Sequence, residues 1–169
     1  DIAVGISYLH NEAPVKVIHR DLKSKNVVIG PDYTLKICDF GASRFLAETA
    51  TMTLAGTYPW MAPELIQGLP TGESCDTYSF GVVLWELFIQ DIPFRDLEGF
   101  QVAWYVVEKR ERPPLPRSMP DQMQELIESC WDQDPKQRLS MHDVIHVIDF
   151  MTEDMDFCAG MDNFLIKKK

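Results

Sequence analysis

The sequence predicts a mainly α fold of the α+β type, with helices arranged around one small β-hairpin. Three observations predict it. Residues 75–89 carry apolar side chains on nearly every side of a helical wheel, the pattern of a buried central helix. Residues 1–12, 121–132 and 140–151 repeat apolar residues at three- and four-residue steps, the pattern of helices with one inward face. Two short runs rich in β-branched residues, Val27-Val28-Ile29 and Leu35-Lys36-Ile37, flank Gly30-Pro31-Asp32 and read as a hairpin.

Taken in order, Ile2, Ile6 and Leu9 form one helix face with Ala3 and Tyr8 beside them, and Pro14 ends that helix. Val15 to Ile18 leads into a polar loop. The hairpin carries Asn26 at one end and Asp39 at the other, so it brings those two residues together. Residues 42–61 lack steady periodicity and hold Thr49, Thr51, Thr53 and Thr57. The central helix presents Tyr78, Phe80, Val82, Val83, Leu84, Trp85, Leu87 and Phe88 all round. Residues 98–110 suggest a helix with more exposed charge, broken by Arg112-Pro113-Pro114-Leu115-Pro116. That stretch reads as an inter-helix loop, with a docking motif for a proline-binding domain as the alternative. Met123, Leu126, Ile127 and Cys130 make the next stripe. Ser140 with Asp143 makes a capping box for a helix that turns Met141, Val144, Ile145, Ile148 and Met151 inward. Beyond Glu153 the periodicity fades, and residues 154–169 are expected to be a loosely held tail after a unit spanning 1–153.

The 169 residues fit one domain and can bury a sizeable core. The 16 basic and 26 acidic residues give a net charge of −10, which argues against nucleic acid as a partner because phosphate binding needs a basic face. Lys167-Lys168-Lys169 reads as a solvated end. Cys38, Cys75, Cys130 and Cys158 are widely spaced, so neither a disulfide framework nor a zinc site is expected, and a reducing, cytoplasmic setting fits. Cys75 and Cys130 fall within apolar helical patterns and read as core; buried packing is also the reading for Cys38, with a thiol that ligands reach as the alternative. No apolar run reaches membrane-spanning length and no signal peptide is visible, so no membrane partner is expected.

The chemistry gathers at His19-Arg20-Asp21-Leu22-Lys23-Ser24-Lys25-Asn26, then Asp39-Phe40-Gly41, then Ala62-Pro63-Glu64. Each is weak alone, but in this order they match the second half of the protein-kinase signature set. Phosphoryl transfer needs positioning and charge neutralisation more than covalent work by the protein. Asp21 can take a proton from a substrate hydroxyl. Lys23 can place a positive charge near the transferring group. Asn26 and Asp39 offer the hard oxygen ligands that Mg²⁺ prefers, and Gly41 is expected to let the backbone turn sharply after Asp39.

The chain resembles the serine/threonine protein kinases over about residues 1 to 153. Lys23, two residues after Asp21, is the serine/threonine form, and Gly56-Thr57 ahead of Pro59-Trp60-Met61-Ala62-Pro63-Glu64 agrees. Val17 to Ser24, Lys36 to Arg44 and Cys130-Trp131 are similar to the tyrosine-kinase-like group. Within it, Val27-Val28-Ile29, Cys75-Asp76-Thr77-Tyr78 and Leu97 to Trp104 look most like mixed-lineage kinases of the form that carries a leucine zipper and a sterile-α motif. The resemblance implies a protein-kinase-like fold, of which this chain holds only the C-terminal helical lobe. It implies ATP and Mg²⁺ as cofactors, with Lys23, Asn26, Val28 and Asp39 at the nucleotide and Asn26 and Asp39 at the metal. Asp21, Lys23 and Asn26 would be catalytic. It implies structural roles as well: His19 with its ring against Phe40, Asp76 holding the backbone of His19 and Arg20, Glu64 paired with Arg138, and Thr57 partnering Asp21 and Lys23. Residues 42–61 would be the activation segment, with Thr49, Thr51 and Thr53 as phosphorylation candidates facing Arg20. Relatives usually carry proline after that arginine, where this chain has Leu139.

Within these residues there is no G-x-G-x-x-G loop and no V-A-I-K-type strand lysine with its partner glutamate. The chain opens on Asp1 inside a helical pattern already under way, so a fragment is expected. Two readings follow. One is a serine/threonine kinase acting as a MAP kinase kinase kinase in stress signalling, with MAP kinase kinases as protein substrates and a homodimer formed through sequence outside this chain. The other is a non-catalytic interaction module.

Overall fold

The computed structural model describes residues 1–45 and 57–166. Its centre is helix α3, Ser74–Ile89, in which every residue from Cys75 to Trp85 is buried. Only the last turn emerges from the protein, and Leu87 there is exposed although its apolar neighbours suggested full enclosure. Helix α5, Asp121–Cys130, packs along α3. Gly81 permits that approach: a Cβ there would lie 2.8 Å from Cys130 Cβ, closer than two carbons can come.

Helix α1, Ile2–Asn11, buries Ile2, Ala3, Ile6, Ser7 and His10 on one face and packs against α6, Met141–Glu153. The hairpin pairs β2, Val27–Ile29, with β3, Leu35–Ile37, in antiparallel register Val27↔Ile37, Val28↔Lys36 and Ile29↔Leu35. Val28 and Ile29 are exposed. A second two-stranded sheet joins β1, Val17–Ile18, to β4, Arg44–Phe45. Strands of two residues are too short to show a period of two, so this pairing left no signal in the sequence.

Helix α2, Pro63–Ile66, and helix α4, Gly99–Val107, pack on each other. A reciprocal box caps α4, in which the Glu98 N–H donates to Gln101 Oε1 at 2.8 Å. The proline stretch is held as an inter-helix loop. Trp85 Nε1 donates to the Pro114 carbonyl at 2.9 Å, while Arg112 donates to the Trp131 carbonyl at 2.9 Å and to Gln133 Oε1 at 2.7 Å. At the start of α6, Ser140 Oγ accepts from the Asp143 N–H at 3.1 Å. Met141, Val144 and Met151 are buried there, and Ile145 and Ile148 pack half-buried against the core.

The segment after Glu153 differs from the loose tail expected of it. Met155–Ile166 is a helix, α7, with Phe157, Met161 and Phe164 buried in the common core. These three fall at i, i+4 and i+7, a single helical face. The Asp154 carboxylate caps the start, accepting from the Asp156 and Phe157 N–H groups at 2.9 and 3.2 Å. No helix among the described residues is long and apolar enough to cross a membrane.

Candidate active site

The polar loop after β1 is fixed from below by the first turn of α3. The fully buried Asp76 carboxylate accepts from the His19 N–H at 2.9 Å and the Arg20 N–H at 2.8 Å. His10 Nε2, on α1, lies 2.7 Å from the same carboxylate. A helix N-terminus favours a negative side chain, so Asp76 suits its place electrostatically as well. Arg20 has φ +66°, a left-handed conformation that costs a non-glycine residue energy. The bonds to Asp76 hold it there. Leu22, fully buried, anchors the other side of Asp21.

At Asp21 the two carboxylate oxygens have different surroundings. Oδ2 accepts from Lys23 Nζ at 2.7 Å and Asn26 Nδ2 at 3.0 Å. Oδ1 is buried and has no hydrogen-bond partner among the described residues. Asn26 Nδ2 also donates to the Asp21 carbonyl at 2.8 Å. With its amide nitrogen committed to Asp21, Asn26 keeps Oδ1 as the atom that could face a cation. Lys23 Nζ reaches on to Thr57 Oγ1 at 3.2 Å, tying the loop to the segment after the undescribed residues.

The hairpin sets Asp39 beside Asn26, as its register requires. The Cys38 N–H donates to the Asn26 carbonyl at 2.8 Å, and the half-buried Cys38 Sγ lies 3.3 Å from the same oxygen. Asp39 itself takes the left-handed turn, with φ +63°. The turn expected at Gly41 is therefore one of a different kind: Gly41 sits inside the 3₁₀ turn Phe40–Ala42, and its N–H donates to Asp39 Oδ1 at 3.3 Å. A Cβ on Gly41 would press on that oxygen at 3.2 Å, so the glycine makes room for the carboxylate.

His19 is fully enclosed. Its Nδ1 accepts from the Asp21 N–H at 3.3 Å, which leaves Nε2 to donate to the Cys38 carbonyl at 3.1 Å. Its ring meets Phe40 edge-on, with centroids 5.1 Å apart. Both ring nitrogens are thus used in joining the loop to the end of the hairpin, and neither is left for proton transfer.

A platform runs from Thr57 through the 3₁₀ turn Tyr58–Trp60 to α2. The Ser79 hydroxyl, on α3, donates to the Trp60 carbonyl at 2.7 Å. Glu86, near the end of α3, accepts from Trp60 Nε1 at 2.6 Å and from Ser24 Oγ at 2.9 Å, bridging platform and loop. Burial raises the Glu86 carboxyl above its ordinary range, although these donors pull it down. Farther in, Arg138 grips Glu64 through two bonds of 2.6 and 2.8 Å and also donates to the Asp132 and Ser74 carbonyls. Its guanidinium lies 5.1 Å from the Tyr78 ring centroid, and Arg112 lies at 5.0 Å. Burial pushes the Tyr78 hydroxyl up to about 12. Leu139 packs half-buried against the core.

The structure thus brings Asp21, Lys23, Asn26 and Thr57 into one bonded group, places Asp39 at its edge, and leaves Val28 exposed on the hairpin. Thr49, Thr51 and Thr53 lie outside the described residues. Sequence reasoning missed His10, Trp60 and Glu86. His10 shares the helical spacing of Ile2, Ala3 and Ile6, which was the available signal; its partner, 66 residues away, left none. No group of three or more His, Cys, Asp or Glu that could hold a metal occurs among the described residues. A cation here would have only the hard oxygens of Asn26 and Asp39 and would need further oxygens from a ligand, the usual state of Mg²⁺ at phosphate sites.

The protein kinase domain model matches residues 1–148. Mitogen-activated protein kinase kinase kinase 10 of Mus musculus is 39% identical over 171 residues, an alignment that takes in 96% of this chain and 18% of that protein. Mitogen-activated protein kinase kinase kinase 12 of Rattus norvegicus is 42% identical, covering 91% of this chain and 17% of its own length. Serine/threonine-protein kinase CTR1 of Arabidopsis thaliana is 42% identical, covering 88% and 18%. The chain spans less than a fifth of the length of these relatives.

Proposed function

Because the chain belongs to the protein kinase domain family, we propose that it supplies the catalytic-loop lobe of a serine/threonine kinase that transfers the ATP γ-phosphoryl group to protein hydroxyls. The observation that carries this reading is the Asp21 carboxylate. One oxygen is held by Lys23 and Asn26, and the other is buried without a partner among the described residues. An unsatisfied buried carboxylate oxygen is costly unless something is meant to bind it. A substrate hydroxyl is a fitting donor. Asp21 Oδ1 then receives its hydrogen bond and takes its proton as the oxygen attacks phosphorus.

Lys23 and Thr57, the residue types of the serine/threonine form, support the serine/threonine assignment, and their bond joins the loop to the platform. Asn26 Oδ1 and the exposed Asp39 carboxylate are the residues that would hold Mg²⁺. Bound Mg-ATP would supply the transferable group and the divalent charge that neutralises it. Val28, on the open side of the hairpin, would contribute one wall for adenine. The buried Arg20 Nε also lacks a partner among the described residues, which favours an anion nearby. A phosphate on Thr49, Thr51 or Thr53 would serve. The names of the relatives favour a MAP kinase kinase kinase, with MAP kinase kinases as substrates, and the four free cysteines fit a cytoplasmic setting.

The test is Asp21→Asn in a protein joining this chain to a kinase small lobe. Turnover is expected to fall by about 10²- to 10⁴-fold while nucleotide affinity holds. Near-normal turnover would contradict the assignment of Asp21 as base.

A further inference from the structure

Helix α6 carries two histidines on the face that the core does not use. Val144, which is fully buried, lies two residues from both His142 and His146, about 200° around the helix. The two histidines therefore point away from the core, and both are exposed. Four residues apart, they are neighbours across one turn, and their rings already meet edge-on with centroids 4.5 Å apart. The helix is fixed beneath them, capped at its start by Ser140 and packed on α1 along its inner face. The other two histidines are of a different kind. His10 and His19 are buried, and their ring nitrogens are tied to Asp76, to the Asp21 N–H and to the Cys38 carbonyl. The ring nitrogens of His142 and His146 make no hydrogen bond or ion pair among the described residues. Each neutral ring thus keeps one nitrogen lone pair for a ligand.

Two imidazoles four residues apart on one helix face are the arrangement that holds zinc in H-x-x-x-H helices. Two ring nitrogens bound to one tetrahedral ion at about 2.0–2.1 Å stand about 3.3 Å apart, a separation that rings in contact reach by turning about their side-chain bonds. Imidazole nitrogen suits Zn²⁺ and its transition-metal neighbours, whereas Mg²⁺ and Ca²⁺ take oxygen. Asp149 and Glu153, both exposed, continue the stripe within about 20° of His142 around the helix. Their carboxylates, with the net charge of −10, draw a cation to this face. Asp143 stands where a zinc peptidase helix has its general base, but its carboxylate is engaged by Ser140 Oγ at 2.6 Å. The site therefore has the ligands of a zinc helix without its base, and can bind rather than hydrolyse. No three His, Cys, Asp or Glu that could hold a metal gather among the described residues, so two imidazoles are the protein's share and water completes the coordination.

We propose that His142 and His146 chelate Zn²⁺ across one turn of α6, a site that uses none of the residues around Asp21 and does not depend on the kinase reading. Such a clip binds the folded helix in preference to the unfolded chain, so it stabilises the protein by mass action. The test is calorimetric titration of the 169-residue chain with ZnCl₂, with Mg²⁺ in excess to occupy hard-oxygen sites. His142→Ala, His146→Ala and Cys158→Ser are titrated beside it. Each histidine substitution is expected to weaken the Kd for Zn²⁺ about tenfold or more, and Cys158→Ser to leave it unchanged. At a hundredfold excess over Kd, Zn²⁺ is expected to raise the Tm of the unsubstituted chain by about 5 °C and to move the histidine variants little. Without metal the variants should match their parent in Tm, because both side chains are exposed. His146→Gln, which keeps a polar side chain of similar reach, replaces any alanine variant that unsettles the helix. Loaded with Cu²⁺ instead, the chain should show nitrogen splitting from two imidazoles in its electron paramagnetic resonance spectrum, and each variant splitting from one. No measurable Zn²⁺ binding, affinity unchanged in the histidine variants, loss of binding with Cys158→Ser, or a Cu²⁺ spectrum of oxygen ligands alone would overturn the proposal. So would an equal rise in Tm in every variant, since the ion would then sit elsewhere.

Discussion

Asp76 shows how a residue far from the reacting atoms sets their geometry. Its carboxylate meets His19, Arg20 and His10, and so fixes the backbone on which Asp21 stands. Glu64 plays the corresponding part for the platform, accepting two hydrogen bonds from Arg138. The Arg138 side chain is fully buried, and a guanidinium without its carboxylate there is costly. Glu64→Ala is expected to destabilise the protein by about 3–5 kcal/mol in denaturant unfolding. Arg138 keeps its bonds to the Asp132 and Ser74 carbonyls, which places the loss toward the lower end of that range. A loss near zero would mean that the pair merely replaces hydration. Asp21, Asn26 and Asp39 were legible in the sequence because their residue types and spacing are dictated by the chemistry. His10 was not, because nothing local distinguishes a buried histidine with a distant carboxylate from an ordinary one. Gly41 was read for its backbone freedom, whereas the left-handed residue is Asp39 and the glycine serves by having no side chain.

Among the elements, those with a long apolar period were legible and those defined by distant partners were not. The enclosure of α3 could be read from Tyr78 to Trp85, because a helix apolar on all sides has no stable place on a surface. The close seating of α5 against it depends on Gly81, which no periodicity marks. Strands β1 and β4 have two residues each, paired as Val17↔Phe45 and Ile18↔Arg44 across a long stretch of chain. Helix α7 hid for a different reason. Asp154, Asp156 and Asp162 surround its apolar residues and lower the average hydrophobicity, yet Phe157, Met161 and Phe164 keep one face. Phe157→Ala is expected to cost about 3–5 kcal/mol, as deletion of a core phenylalanine does elsewhere. A loss below about 1 kcal/mol, the level typical of surface substitutions, would return this segment to the status of a loose tail.

For the molecule as a whole, the structure joins the loop of Asp21, a hairpin end and the platform from Thr57 to Trp60 on one buried helix. The fold class could be read because several helical periods and one hairpin pointed the same way. The meeting of Asp21, Asn26 and the hairpin end could be read because three short motifs keep a fixed order, and the roles proposed for these residues rest on that order. The residues proposed to meet a nucleotide, Asn26, Asp39 and the exposed Val28, would contact it from one side, with no Gly-rich loop or strand lysine in these 169 residues. Small ligands normally bury most of their surface, and kinase turnover needs the strand lysine pair as well as the metal-binding aspartate. The most direct measurement is radiolabelled transfer from Mg-ATP to a mixed serine, threonine and tyrosine substrate, made with the chain alone and with the chain joined to a kinase small lobe. No turnover is expected of the chain alone, and label is expected on serine and threonine once the lobes are joined. Turnover by the chain alone, label on tyrosine, or silence in the joined protein would contradict this, the last favouring a non-catalytic interaction module.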